Sequence, residues 1–263
     1  MRIATWNINS VRIRLELLTN FVNNYNPDII CLQEIKCADD LFPYDAVKKM
    51  GYEYIYVRGE KSYNGVAILS RLPLTLLPHQ NWAGKTDSRH IAAMLGDGTV
   101  IHNFYVPAGG DTPDPDENEK FKHKLDFLDE LTRWFADKKG TDDKMILLGD
   151  LNIARLPEDV WSHKQLLKIV SYTPIEREKL ENMRASCDWL DAVRHARPVP
   201  EILYSWWSYR SRDWRLNNRG RRLDHIWVSN NLKTNVQSVE IATEMRGAEK
   251  PSDHVPILLD LAI

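Results

Sequence analysis

The stretch 144–152, KMILLGDLN, constrains the fold more than any other part of this chain, because an apolar run stops abruptly at a carboxylate and an amide. Residues 145–148 show no polar alternation, which is typical of a strand covered on both faces. Gly149 then allows a backbone conformation that a β-carbon would resist. Residues two apart in a strand point the same way, so the side chains of Asp150 and Asn152 are expected to contact the same group at the strand end. The alternative is an ordinary turn, since Asp and Asn favour turns.

The same pattern recurs earlier, where residues 28–34 predict a buried strand that also ends at a carboxylate, Glu34. Apolar residues at helical spacing predict helices over 11–25 and 121–135, and Thr173, Pro174 and Glu176 predict a capped helix that runs to about residue 189. Further strands are predicted over 2–8, 52–57, 65–70, 91–95, 99–106, 223–229, 236–243 and 255–263. The short spacing between the strands of the first half favours antiparallel pairing. The predicted fold class is α/β, a four-layer sandwich of two packed mixed sheets flanked by helices, formed by residues 1–263 as one domain.

Charge and cysteine content narrow the class of protein. The formal net charge is −2, so affinity for nucleic acid would have to come from a local basic patch. Cys31, Cys37 and Cys187 show no CxxC spacing, which indicates free thiols in a reducing compartment. The N-terminus turns polar too soon for a signal peptide, and no apolar run approaches the roughly 18 residues of a membrane span. We therefore expect a cytoplasmic protein that does not contact membranes.

Polar residues gather at the predicted strand boundaries, where sandwich folds place their functional loops. Singly, each has an ordinary alternative: Asn7 as a helix cap, Glu34 as a surface turn residue, and Asp224 as an ion-pair partner of Arg222. Together they supply hard oxygen ligands, a carboxylate able to orient water, and a histidine with a carboxylate partner. The set comprises Asn7, Glu34, Asp150, Asn152, Asp224, Asp253 and His254.

This set suits hydrolysis of a phosphoester, because an anionic phosphodiester repels hydroxide and its hydrolysis requires charge compensation and an aligned water. Mg²⁺ takes one or two carboxylates and keeps several waters, which fits an isolated Glu34. Asp150, with Asn152 holding the geometry, is predicted to orient and deprotonate the water. His254, fixed by Asp224, is predicted to donate its other N–H to a phosphate oxygen, with Asp253 near the metal.

A basic segment precedes Asp224: residues 209–222 contain six arginines and one aspartate. An excess of arginine interleaved with aromatic residues favours phosphate contact and stacking, whereas a solvated loop is the alternative. Trp206 and Trp207 lie just upstream, and each is either a core residue or a ring that packs on a sugar lacking its base. The arginines predicted to bind DNA are Arg210, Arg212, Arg215, Arg219 and Arg221.

These residues resemble the exonuclease III family of bacterial AP endonucleases, within the exonuclease-endonuclease-phosphatase superfamily. The resemblance rests on motifs that keep the family's order along nearly the whole chain. They are WNIN at 6–9, LQEIK at 32–36, NGVA at 64–67, NFYVP at 103–107, GDLNI at 149–153, SW at 205–206, RLD at 222–224 and PSDH at 251–254.

The resemblance implies a DNase I-like sandwich and a nuclease that uses a divalent metal, Mg²⁺ with Mn²⁺ as a substitute. Its implied substrates are double-stranded DNA with abasic sites, cut on the 5′ side, and 3′ ends, through 3′-to-5′ exonuclease and 3′-phosphatase activity. By motif, Asn7, Glu34 and Asp253 serve the metal, Tyr105 stabilises the phosphate or the leaving oxygen, and Trp206 lines the pocket for the abasic sugar. By the same motifs, Asp150 and Asn152 act on the attacking water, and Asp224 and His254 bind the scissile phosphate. A monomer is expected.

Two departures from the family pattern concern pocket preference: Trp207-Ser208 replaces Phe-Asp, and Arg155 stands where proline is common. The competing functions are a DNase I-like nuclease, another phosphoesterase of the superfamily, and a non-catalytic protein that binds damaged DNA. Tyr105 stands where DNase I-like nucleases carry a second histidine, and a non-catalytic binder would have lost metal or water-orienting residues, none of which is missing here.

Overall fold

The computed structural model describes residues 1–211 and 213–263, and two six-stranded sheets organise it. The first sheet has the order β13-β14-β1-β2-β4-β3 and the second β5-β6-β7-β8-β12-β9, with the two-stranded β10-β11 beside them. The strands are β1 Arg2–Asn7, β2 Ile29–Gln33, β3 Tyr54–Arg58, β4 Val66–Ser70, β5 Leu74–Leu76, β6 His90–Leu95, β7 Val100–Tyr105, β8 Met145–Asp150, β9 Leu190–Asp191, β10 Trp206–Trp207, β11 Gly220–Arg221, β12 Asp224–Val228, β13 Val236–Ile241 and β14 Ile257–Leu261.

Helices cover the outer faces of the sheets. They are α1 Leu15–Tyr25, α2 Tyr44–Lys49, α3 Glu119–Ala136, α4 His163–Leu166, α5 Pro174–Ser186, α6 Ala192–Ala196 and α7 Trp214–Asn217. Within the described ranges, no helix combines the length and the apolar character needed to cross a membrane.

The central strand β8 shows why the sequence folds into layers. Ile146 and Leu148 pack into the core between the two sheets, whereas Met145 and Leu147 pack against the apolar faces of α3 and α5. All four side chains are buried, because apolar layers cover both faces of the strand. The four-layer sandwich predicted from the sequence is confirmed.

Both sheets are mixed, and antiparallel pairing dominates the closely spaced strands. β3 pairs antiparallel with β4, β5 with β6, and β6 with β7, as the sequence predicts. The parallel pairs are β1 with β2 and β7 with β8, each joined by a covering helix, α1 and α3 respectively. Parallel strands run in the same direction, so the carboxyl ends of each pair lie at the same edge of its sheet.

The first helix begins later than predicted. Residues 11–14 form turns, and α1 begins at Leu15. The preceding loop takes left-handed backbone at Asn9 and Ser10, and the backbone N–H of Val11 donates to Ile35 rather than entering a helix. Val11 is nevertheless buried, so the apolar side chain at this position reflects burial and not helical structure.

Candidate active site

The end of β8 lies between two other strand ends that carry polar residues. In the sheet register Asp150 stands opposite Tyr105 of β7 on one side and Asp224 of β12 on the other. Gly149 makes this approach possible: its φ is +139°, and a β-carbon there would lie 1.9 Å from the carbonyl oxygen of Phe104. The glycine therefore serves close strand pairing just before the carboxylate.

Asp150 is fully buried and is held by two amide side chains. Its Oδ2 accepts hydrogen bonds from Nδ2 of Asn7 at 2.9 Å and Nδ2 of Asn152 at 3.1 Å, and its Oδ1 accepts from the backbone N–H of Asn152 at 2.9 Å. Burial raises the pKa of this carboxyl group, and the positive charge of His254 offsets that only in part. A buried carboxyl group with a raised pKa suits a general base.

Asn152 reaches Asp150 differently from the sequence prediction. It lies beyond the end of β8 in left-handed backbone, with φ +54°, so strand alternation does not place it. Its Nδ2 also donates to the carbonyl of Val106 at 2.9 Å. The two polar heads do meet, because the chain turns back on itself directly after the strand.

His254 forms a tight pair with Asp224, since its Nδ1 and the aspartate Oδ2 are 2.8 Å apart. Ser205 Oγ donates to the same oxygen at 2.6 Å, and the histidine Nε2 lies 3.7 Å from Oδ2 of Asp150. Burial alone would lower the pKa of His254, but the two carboxylates outweigh it and raise the pKa to about 10. The imidazolium form is therefore stabilised, with Nε2–H directed toward the Asp150 side of the site.

The alternative in which Asp224 pairs with Arg222 is wrong. The Arg222 guanidinium is completely buried and donates to the carboxylates of Asp159 and Asp191 at distances from 2.8 to 3.2 Å. The Asp224 carboxylate instead pairs with His254 and accepts a hydrogen bond from Ser205.

Glu34 lies just after β2, in left-handed backbone with φ +50°. Its Oε1 accepts from the Tyr105 hydroxyl at 2.7 Å and from Nδ2 of Asn7 at 3.0 Å. Its Oε2 pairs with Nζ of Lys36 at 2.7 Å. One amide nitrogen of Asn7 thus bridges Glu34 and Asp150, while the Asn7 oxygen accepts from the backbone of Asn9.

Asp253 and Trp206 form the rim of the site. Asp253 accepts from Nδ2 of Asn9 at 3.0 Å and from the indole N–H of Trp206, also at 3.0 Å. Trp206 pairs with His254 across an isolated β-bridge, which fixes the half-buried indole beside the histidine. Trp207 is almost fully buried and belongs to the core.

The donor set can be tested for its fit to a metal ion. Asp150, Asp224 and His254 place ligand atoms within 4.8 Å of one another, close enough to hold a metal, but these groups are buried and already paired. The side chain of Glu34 is 18% exposed and offers carboxylate oxygens beside the site. Hard oxygen donors with room for water fit a divalent cation such as Mg²⁺.

The arginine segment divides into several environments. Arg210, Arg215 and Arg219 are exposed, and the last two lie over the rings of Trp214 and Trp161. Arg221 is half-buried and lies over Trp206, with 5.2 Å between its guanidinium carbon and the ring centroid. Arg222, which the sequence grouped with these residues, forms a buried ion pair instead. Arg212 lies outside the described residues.

Comparison with known proteins places this site in a family. The sequence profile described as "Endonuclease/Exonuclease/phosphatase family" matches residues 4–254. The chain belongs to this family. It is 32% identical over 269 residues to exodeoxyribonuclease III of Haemophilus influenzae, covering 98% of each chain.

Among solved structures, similarity extends over the full length of the chain. The chain superposes on an AP endonuclease from Archaeoglobus fulgidus with a TM-score of 0.92 and 29% identity, and on the 3′ phosphatase NExo from Neisseria, bound to a product DNA hairpin, with a TM-score of 0.90 and 31% identity. In both cases 100% of each chain is covered.

The family motifs did not identify Lys124 as a residue near the site. Lys124 is completely buried and its ammonium donates to the carbonyl of Asn152. The signal was present in the periodicity, since Lys124 lies on the face of α3 that carries Phe121, Leu125 and Leu128. A lysine on an apolar helical face indicates a buried partner.

Proposed function

We propose that this protein is a DNA repair nuclease of the exodeoxyribonuclease III type that depends on a divalent metal. Its proposed reactions are hydrolysis of the phosphodiester 5′ to an abasic site in duplex DNA, 3′-to-5′ exonuclease cleavage and removal of 3′ phosphates. Relatives named exodeoxyribonuclease III, AP endonuclease and 3′ phosphatase support the substrate class. The observation that carries the proposal is the buried Asp150 held by two amides beside the His254–Asp224 pair.

In this proposal Asp150 is the general base. Its raised pKa makes it a better proton acceptor than an exposed carboxylate, and the Asn7 and Asn152 amides fix its orientation. Asn152 also contributes an amide that can hold the attacking water in line with the leaving oxygen. Fixing both groups lowers the entropic cost of the transition state.

The His254–Asp224 pair is proposed to bind the scissile phosphate. The aspartate holds Nδ1, so Nε2–H is free to donate to a phosphoryl oxygen. The charged imidazolium compensates negative charge that builds up on the phosphorus oxygens. Tyr105, whose pKa burial raises well above 10, keeps its proton and stabilises the phosphate or the leaving oxygen.

We propose Mg²⁺ as the cofactor, with Mn²⁺ as a substitute, held chiefly by Glu34 with Asp253 supporting its water shell. When bound, the ion supplies Lewis-acid compensation of phosphoryl charge. Asn7 is proposed to serve the metal together with Glu34 and Asp253. Its amide nitrogen orients both Glu34 and Asp150 by donating a hydrogen bond to each carboxylate.

Trp206 is proposed to line the pocket for an abasic sugar, since its indole is anchored at the rim by Asp253. The exposed Arg210, Arg215 and Arg219 are proposed to contact DNA phosphates, together with Arg212. Arg221 is proposed to act at the same surface through the Trp206 ring. We further propose a monomer that acts in the cytoplasm, in accord with three free, buried cysteines.

The test compares incision of abasic, 3′-phosphate and undamaged duplexes with Mg²⁺ and with excess EDTA. Wild-type protein should cleave the abasic and 3′-phosphate duplexes only with metal. Asp150→Ala and the isosteric Asp150→Asn should lower abasic-site incision by about 10³-fold or more, with an unchanged circular dichroism spectrum. Activity of either variant within tenfold of wild type would contradict the role of Asp150. Cleavage that ignores the abasic site would favour a DNase I-like nuclease.

A further inference from the structure

A buried ion pair lies directly behind the loop that carries Asn152. Lys124 of α3 and Glu176 of α5 are both completely buried, with Nζ and Oε1 2.5 Å apart. The Lys124 ammonium also donates to the carbonyl of Asn152 at 2.8 Å and to the carbonyl of Ala108 at 3.2 Å. It therefore joins the segment that follows β8 to the segment that follows β7.

Glu176 connects a third segment, residues 171–173, to the Lys124 ammonium. Its Oε1 accepts from the backbone N–H of Ser171 at 2.9 Å, and its Oε2 accepts from the backbone N–H and hydroxyl of Thr173 at 3.0 and 2.7 Å. Ser171 has a left-handed backbone, with φ +82°, and its hydroxyl accepts from Arg221 at 2.6 Å. Because the Arg221 guanidinium lies over Trp206, the ion pair reaches both Asn152 and the rim of the site.

Docking of α3 on α5 does not require this pair. Apolar residues of the two helices, among them Phe127, Leu128, Leu180 and Met183, share one core cluster, and a surface pair between Lys179 and Asp129 links the same helices at 2.6 Å. Two buried charges carry a desolvation cost that an apolar pair would avoid. What the charges add is a set of hydrogen bonds to the loops at the site.

A hydrogen bond to the Asn152 carbonyl acts directly beside the contacts that Asn152 makes with Asp150. Asn152 uses its backbone N–H and its side-chain amide to hold Asp150, and its backbone is left-handed. The carbonyl belongs to the peptide that joins Asn152 to Ile153, so a shift of this peptide would displace the Asn152 backbone and the side-chain amide that contacts Asp150. The Lys124 ammonium, itself paired with Glu176, restrains this carbonyl through its hydrogen bond.

We propose that Lys124 and Glu176 are positioning residues that set the orientation of Asn152 relative to Asp150. The inference rests on the proposed function, in which Asn152 orients the attacking water. Displacing a group near the reacting atoms lowers the rate of the chemical step more than it weakens substrate binding. Loss of the pair should therefore appear in kcat and not in KM.

The experiment compares the double variant Lys124→Met/Glu176→Gln with the double variant Lys179→Met/Asp129→Asn, which removes the surface pair between the same helices. Abasic duplex with Mg²⁺ is the substrate, and thermal unfolding is recorded for each protein. The first variant should lose kcat by about 10- to 100-fold with KM within about threefold, whereas the second should keep kcat within about twofold. Removing both buried charges together avoids leaving one charge unpaired.

A double variant with wild-type kcat, or a loss shared equally by the surface-pair variant, would overturn the proposal. The single variant Glu176→Gln, which keeps the side-chain shape but leaves the Lys124 ammonium without its carboxylate, provides a second measurement below its melting temperature and should also lower kcat. Unfolding of both Glu176 variants at the assay temperature would show that the pair only stabilises the fold and would also overturn the proposal. Wild-type protein inactive on every duplex would instead refute the proposed function, which separates the two failures.

Discussion

Replacement of Arg222 by methionine separates structural arginines from arginines that contact DNA. Arg222 is fully buried and donates four hydrogen bonds to Asp159 and Asp191. Methionine has a similar length but supplies neither charge nor donors. We therefore expect a loss of folding stability and no direct loss of phosphate contact.

The size of the loss follows from the contacts that remain. Removing one partner of a buried ion pair costs about 3 to 5 kcal/mol when the other charge is left uncompensated. Asp159 would keep Arg194, and Asp191 would keep Arg155 at 3.4 Å. The lower end of that range, about 3 kcal/mol, is therefore expected, which lowers the melting temperature by about 6 to 12 °C in a protein of this size.

The deficit should depend on pH in a defined direction. Burial alone would raise the pKa of Asp159 and Asp191, but the neighbouring guanidinium groups outweigh it and hold both pKa values below normal. A depressed carboxyl pKa contributes stability above the pKa of the unfolded chain, about 3.9, and loses that contribution as the pH falls through the folded pKa. Urea unfolding should therefore show the full deficit of Arg222→Met at pH 7 and a smaller one near pH 3.5.

Arg210→Ala is the matched comparison, because Arg210 is exposed. It should leave the melting temperature unchanged within about 2 °C and reduce the slope of log K against log salt for duplex binding by about one unit. The folded Arg222→Met protein should keep the wild-type slope. A melting temperature of Arg222→Met equal to that of wild type would refute the structural reasoning, and a reduced slope would place Arg222 at the DNA.

Three further predictions concern the pocket, strand β8 and the buried histidines. Trp206→Ala should reduce abasic-site incision at least tenfold more than 3′-phosphate removal, because the indole lines the sugar pocket; equal losses in the two assays would indicate a purely structural tryptophan. Gly149→Ala should lower stability by about 3 kcal/mol or more, since its β-carbon meets the Phe104 carbonyl, whereas Gly96→Ala, with open space around it, should be neutral in the same thermal unfolding assay. His102 is buried, which lowers its pKa to about 3, so below about pH 6.5 the unfolded chain takes up a proton that the native protein does not. His102→Gln should remove about 1.4 kcal/mol per pH unit from the slope of unfolding free energy against pH between 4 and 6, and an unaltered slope in urea titrations would contradict this.

The layers of the fold could be predicted because the buried faces of strands and helices require apolar residues at regular spacing in the sequence. The uninterrupted apolar run at 145–148 identified a strand covered on both faces, and the spacing of Phe121, Leu125 and Leu128 identified a covering helix. The motif order then indicated the family. The prediction of secondary structure fails where a residue is buried without belonging to a helix or strand, as at Val11, which is buried in a turn.

The sequence also indicated which residues would gather, since strand ends repeatedly carry carboxylates and amides. It did not determine their pairing. Asp224 could have paired with Arg222, two residues before it along the chain, but the folded structure places it opposite Asp150 in the sheet register and its carboxylate against the ring of His254. Hydrogen-bond partners far apart in the chain depend on distances that local spacing does not encode.

The stretch 144–152 shows the same division. The sequence alone determined a buried strand, a glycine where the backbone needs freedom, and a carboxylate at the strand end. The tertiary structure alone decided that Asn152 turns back in left-handed backbone, that Asn7 bridges Asp150 to Glu34, and that Lys124 lies behind the loop. The reason is physical: apolar periodicity follows from contact with a layer, which every residue of a strand shares. The geometry of a site depends instead on a few directional hydrogen bonds between segments that meet only when the layers close.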